Sequence, residues 1–174
     1  MKAFTIPGAI EIIERTPLVL QQLLSGLSDS WIYTNEGDKT WSPFDILSHL
    51  LDGDKMAWTP RIKLVMENDP KAFAPFDTFT QTKNSSSKSC AQLLTEFQEL
   101  RSKNIATLKE LNISEQDLQK TAVHPDFGEV TLKQFLAAWV VHDLGHIRQM
   151  VRVMAKRYGN ETGPWGKYLR IVHE

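Results

Sequence analysis

Two of the five histidines in this 174-residue chain lie four apart, in the run WVVHDLGHIRQM from Trp139 to Met150. Helical residues turn by about 100° each, so positions four apart stand roughly 40° apart and one turn up. His142 and His146 therefore share a face with Phe135, Trp139, Gln149 and Val153. That face is mainly apolar, and both imidazoles are expected to point into a helical core. Two neutral imidazoles at this spacing can hold one metal ion from a single helix. A third ligand must come from elsewhere, and the other histidines are His49, His124 and His173. His49 lies in DILSHLLDGD and shares its face with Ile46, Gly53 and Met56, with Asp45 and Asp52 at the edge. If the helices that carry His49 and the pair start at the same end, the three rings meet at similar depth. Three histidines around a divalent ion leave a position open. Such a site activates water, or binds and polarises a thiol or a carbonyl.

The neighbouring residues each admit a chemical and a plain structural reading. Asp52, three residues after His49, could orient a ligand ring or act as a base; otherwise it is a solvated carboxylate. Gly53 and Gly145 remove side-chain volume beside the histidines, either for a substrate or for close helix packing. Arg148 and Gln149 could support the site or belong to the surface and the packing. HDLGH also resembles the HExxH of zinc proteases, with Asp143 at the glutamate position. Aspartate is a methylene shorter, and Asp143 is rotated about 100° from His142, toward solvent. His124, in AVHPDFGEV, reads as a loop histidine, and His173 as a solvated residue near the end. The single cysteine, Cys90, has no histidine near it in sequence to activate a thiolate.

Helices must position these groups. Hydrophobic residues make up 41% and charged residues 24%, a globular balance for which one domain, residues 1–174, is expected. Four long stretches have helical spacing and alternating β-branched segments are scarce, so the expected fold is all-α, a four-helix bundle. The first stretch runs from about Ile6 to Leu27, with a break or kink near Thr16 and Pro17. The second starts at Trp41-Ser42-Pro43-Phe44-Asp45, a cap followed by proline in the first turn, and reaches about Glu67 with a bend at Pro60. A connection of about twenty residues follows, long enough to cross from one end of a bundle to the other. The third helix runs from about Ser89 to Leu111, with Leu93, Phe97, Leu100, Leu108 and Leu111 as its stripe. A second connection contains a helical turn near Ser114 to Leu118. The fourth helix starts at the capping box Thr131-Leu-Lys-Gln134, continues to about Tyr158 and stops at Gly159.

A net charge of −1 gives no field for nucleic acid or for anionic lipid. With one cysteine, no disulfide framework can form within the chain. No apolar run approaches the roughly 20 residues that cross a bilayer, and the first residues are interrupted by acidic groups where a signal peptide is apolar. The expected location is the cytoplasm.

Trp41-Ser42-Pro43 with Ile46-Leu47-Ser48-His49-Leu50, then Gly128-Glu129-Val130-Thr131-Leu132 leading into His142-Asp143-Leu144-Gly145-His146-Ile147-Arg148-Gln149, resembles the DinB-like superfamily of metalloenzymes. The resemblance covers nearly the whole chain, in order. It implies an up-down-down-up bundle, with the long connection as the crossover. It implies a metal triad with one histidine from the second helix and two from the last, which falls on His49, His142 and His146. It implies zinc or nickel as the ion and a homodimer as the assembly. By the same resemblance the activity is transfer or isomerisation using a low-molecular-weight thiol, or hydrolysis, on a small-molecule substrate. The rival reading is a non-catalytic stress-response dimer that binds a metal or a small ligand.

Overall fold

The computed structural model describes residues 3–67, 72–75 and 88–174. The first stretch breaks into α1 (Ile6–Ile13) and α2 (Thr16–Leu24). Thr5 caps α1 by accepting from the amide of Gly8. Thr16 does not cap α2; its hydroxyl is spent on a bond across the core, described below. A short helix, α3 (Asp29–Ile32), leads to the second stretch.

That stretch is also two helices, α4 (Pro43–Met56) and α5 (Trp58–Met66). The break falls at Ala57, with φ −106° and ψ −66°, not at Pro60. Pro60 then lies in the first turn of α5, where its missing amide proton leaves no bond unmade. The start of α4 is the capping box expected from the sequence. Ser42 accepts from the Asp45 amide at 3.2 Å, and the Asp45 carboxylate accepts from the Ser42 amide at 2.9 Å. Most of the long connection, residues 68–71 and 76–87, lies outside the described residues, and the expected crossover falls there.

The third and fourth long helices are α6 (Cys90–Glu110) and α7 (Leu132–Lys156). Each begins in a capping box, Ser89 with Gln92 and Thr131 with Gln134. Between them the sequence reading missed a hairpin. Strands β1 (Thr121–His124) and β2 (Gly128–Thr131) pair antiparallel, with His124 opposite Gly128. Gly128 has φ +70°, the left-handed position that closes a three-residue hairpin loop. With four residues per strand, the alternation is too short to register as a β signal. Phe73 attaches to the hairpin, its amide donating to the Val123 carbonyl at 2.8 Å. After α7 the tail turns in 3-10 segments and returns to the bundle, where Arg148 pairs with Glu174 at 2.6 Å.

The apolar core has two parts. One contains Ile13, Trp58, Ile62, Leu108, Leu136 and Trp139. The other contains Leu20, Leu47, Leu50, Leu93, Phe97 and Met150. Between them every long helix contributes buried polar residues: Thr16, His49 and Asp54, Arg101 and Asn104, and Asp143. A polar layer thus crosses the bundle at one level. His49 belongs to it, and His142 and His146 lie beside it.

Candidate metal centre

Arg101 organises the layer. Its Nε donates to Asp54 Oδ2 at 2.7 Å and its Nη2 to Asp54 Oδ1 at 2.9 Å, a two-point contact. Its Nη1 donates to Asp143 Oδ2 at 2.5 Å and to the Ile13 carbonyl at 2.7 Å. The Thr16 hydroxyl donates to the same Asp143 oxygen at 2.7 Å. Phe97 and Trp139 lie against the guanidinium, at 4.8 and 5.1 Å. The side chains of Arg101, Asp54 and Asp143 are at most 1% exposed. Burial pushes the Asp54 carboxyl up, only partly countered by Arg101. Burial pushes Asp143 up too, but its contacts with His142, Arg101 and Thr16 outweigh that and leave it below the ordinary carboxylate range.

This layer ties together the two helices that carry histidines. Asp54 lies five residues after His49 on α4, and Asp143 directly follows His142 on α7. Arg101, from α6, holds both carboxylates. The expectation that Asp143 faces solvent is therefore wrong. It is fully buried, and its oxygens are committed to Arg101 and Thr16. That removes it as a protease-like base. The sequence signal was there: Arg101 stands on the stripe of α6, four residues from both Phe97 and Ile105. A charge in that place must be paired inside.

Beside this layer the three histidines converge. Their ring centroids are 5.2 Å apart for His49 and His142, 4.7 Å for His49 and His146, and 4.4 Å for His142 and His146. One nitrogen from each lies within 4.8 Å of the others. His49 Nε2 and His142 Nε2 are 3.1 Å apart. His146 Nδ1 meets Gln149 Oε1 at 2.8 Å. An amide oxygen only accepts, so His146 carries its proton on Nδ1 and turns a bare Nε2 toward the other rings. The residue expected either to support the site or to pack, Gln149, does the former; Arg148 is a surface residue paired with Glu174.

Burial, with His146 and His142 nearby, pushes His49 down to about 3. Burial and His142 push His146 down to about 4, despite Gln149. Both rings are therefore neutral near pH 7, the form that binds metal. His142 Nδ1 is buried without a hydrogen bond, and Asp143 Oδ1 is 3.7 Å away. Three ring nitrogens gathered within 4.8 Å, two of them 3.1 Å apart, make poor packing in a metal-free core. They fit a divalent ion. Among the described residues the converging group contains no carboxylate.

The rings open onto a cavity of about 810 Å³. Its walls near the histidines are Trp41, Gly53, Ala57 and Trp58, and its far wall is the hairpin, including His124, Phe127 and Glu129. Trp41 stacks on His146 at 5.9 Å and 19°, and Trp58 meets His142 at 5.0 Å. A Cβ on Gly53 would come within 3.1 Å of Trp58 Nε1, whereas one on Gly145 would meet nothing within 4 Å. Close ring approach accounts for Gly53; no contact accounts for Gly145. Asp52 does not line the cavity. Its carboxyl faces Lys55 and Glu96, has one buried oxygen without a partner, and is pushed up by burial. His173 lies in the tail, near the Gly166 carbonyl at 2.9 Å. Cys90 is buried, which raises its thiol pKa. His124, read from sequence as a loop residue, ends β1 and reaches the cavity.

A four-helix bundle with converging histidines beside a ligand-sized cavity defines a class of protein, and comparisons with known proteins give the family. Residues 12–150 match the model of the DinB superfamily, and the chain belongs to that superfamily. YfiT of Bacillus subtilis (strain 168), provisionally described as a metal-dependent hydrolase, is 28% identical over 153 residues, covering 86% of this chain and 84% of its own. The solved structure of YfiT, noted for an unusual four-helix bundle topology, matches with a TM-score of 0.77 at 24% identity, covering 91% of this chain and 92% of the other. The four-helix bundle protein TT2238 matches with a TM-score of 0.57 at 18% identity, over 84% and 98%. Among the described residues no helix is long and apolar enough to cross a membrane.

Proposed function

We propose that the chain is a metal-dependent hydrolase in which His49, His142 and His146 hold a divalent ion, zinc or nickel. The observation that carries this is the convergence of three ring nitrogens on the wall of a cavity of about 810 Å³. The description of YfiT supports the same reaction class. A bound ion supplies a Lewis acid and lowers the pKa of water. The chain supplies the rest. Gln149 orients His146. Arg101 fixes α4 against α7 through Asp54 and Asp143. Trp41 packs against His49 and Trp58 against His142.

The cavity also has room for a second reading, in which the site would hold a low-molecular-weight thiol whose sulfur would displace a leaving group from an electrophile beside it. The two readings separate in one assay. Zinc- and nickel-loaded protein is screened against ester and amide substrates with and without a panel of thiols. Hydrolysis follows from turnover without thiol, transfer from turnover only with it. Loss of turnover in His146→Ala is required by either. A metal-loaded protein inert in both arms supports the non-catalytic binding bundle instead.

A further inference from the structure

The cavity extends well beyond the three histidines. From His142 the wall passes to Trp58 at 5.0 Å and from Trp58 to Phe135 at 5.1 Å, and it includes Val130, Phe127 and His124 of the hairpin. A ligand that reaches from the metal position to the hairpin must lie along these rings. Its body is therefore apolar. At the far end the hairpin holds His124 in one orientation. Phe127 stacks on the imidazole at 4.5 Å and 20°, and Phe73 meets it edge-on at 89°. The Asp126 amide donates to His124 Nδ1 at 3.2 Å. With its lone pair engaged, Nδ1 carries no proton in the neutral ring, and the proton sits on Nε2. His124 thus offers a fixed N–H donor at the end of an aromatic slot.

We propose that His124 is the specificity residue for the end of the substrate remote from the metal, and that the substrate is elongated, with an apolar body ending in a neutral carbonyl oxygen. An anionic end fits less well. The Asp126 carboxylate lies 3.8 Å from His124 Nδ1, and Glu129 lines the same wall. Arg61, across the slot, donates to the Ala74 carbonyl at 2.7 Å and lies over Phe73 at 4.9 Å, so it holds the 72–75 segment in place. The proposal rests on the metal-centre reading, which supplies the other anchor.

Zinc-loaded protein is titrated with two series of alkyl hydroxamates of increasing length, one ending in a primary amide and the other in a methyl group. The hydroxamate occupies the metal and the tail samples the slot. One chain length is expected to favour the amide over its methyl partner by about three- to ten-fold, the worth of one net hydrogen bond. In His124→Phe, which keeps the ring stack, that preference disappears while the methyl series binds as before. His124→Gln, which retains an N–H near the Nε2 position, recovers part of it. The proposal is overturned if no length prefers the amide, or if the preference survives in His124→Phe. A methyl series that binds equally well with and without zinc, or not at all, instead refutes the metal-centre reading and the proposal with it.

Discussion

Replacing Arg101 with methionine should destabilise the protein in a way that acid relieves. The guanidinium is the cation between two buried carboxylates, Asp54 and Asp143. Methionine keeps much of the stem and removes the charge. Deleting one partner of a buried ion pair costs about 3–5 kcal/mol. Here two carboxylates lose the same partner, so the upper end of that range applies at neutral pH. Domains are usually stable by about 5–15 kcal/mol, which leaves the variant marginal. In the variant, burial and mutual repulsion hold the carboxyl pKa values above their unfolded values. Their contribution is then full below the unfolded value and is lost as pH rises through the raised folded value. The parent keeps the contribution of Asp143 at neutral pH, because that carboxyl sits below its ordinary value, whereas Asp54 is raised by burial. The stability gap, measured by urea unfolding with a chelator present, should therefore be largest at pH 7–8 and should narrow toward pH 5. Adding Asp54→Asn to the variant should restore part of it. A gap that is small at pH 7, or that does not change with pH, would refute the reasoning.

Acid should also destabilise the metal-free parent. His49 and His146 titrate at about 3 and about 4 when folded, against an ordinary 6.5. The unfolded chain takes up these protons first, so stability is full above pH 6.5 and falls below it; His49 alone accounts for about 2 kcal/mol by pH 5, checked by urea midpoints across that range. Gln149→Leu removes the acceptor that orients His146 and should weaken zinc binding about 10- to 100-fold in chelator competition, with little change in the unfolding midpoint of the metal-free protein. The two glycines should part company under alanine substitution. Gly145→Ala gains up to about 1 kcal/mol of helix propensity in open space, whereas Gly53→Ala crowds Trp58 Nε1 and should show no such gain in thermal unfolding.

Much of this arrangement was legible because it is local. The caps at Ser42 and Thr131 are four-residue patterns with one geometric meaning, and the structure shows both as helix starts, with a third capping box at Ser89, where the sequence placed only a helix start. The faces of His49, His142 and His146 follow from helical spacing, and the rings do meet. What the sequence hid depends on partners far along the chain. Arg101 reaches Asp54 and Asp143, 47 and 42 residues away. Spacing along α7 put Asp143 on a different face from His142, but that face meets α6 and α2 rather than water. The break at Ala57 arose before the proline that was expected to cause it. The hairpin was too short for its period to register, and with it went the placement of His124.

The central claim is that His49, His142 and His146 bind one divalent ion. Its most direct test is metal analysis of protein purified without an affinity tag, beside His49→Ala and His146→Ala, with each sample also reloaded with zinc or nickel and desalted. The account predicts about one equivalent in the parent and loss in both variants, with folding retained by circular dichroism. A parent that holds no metal after reloading, or variants that hold as much as the parent, would contradict it.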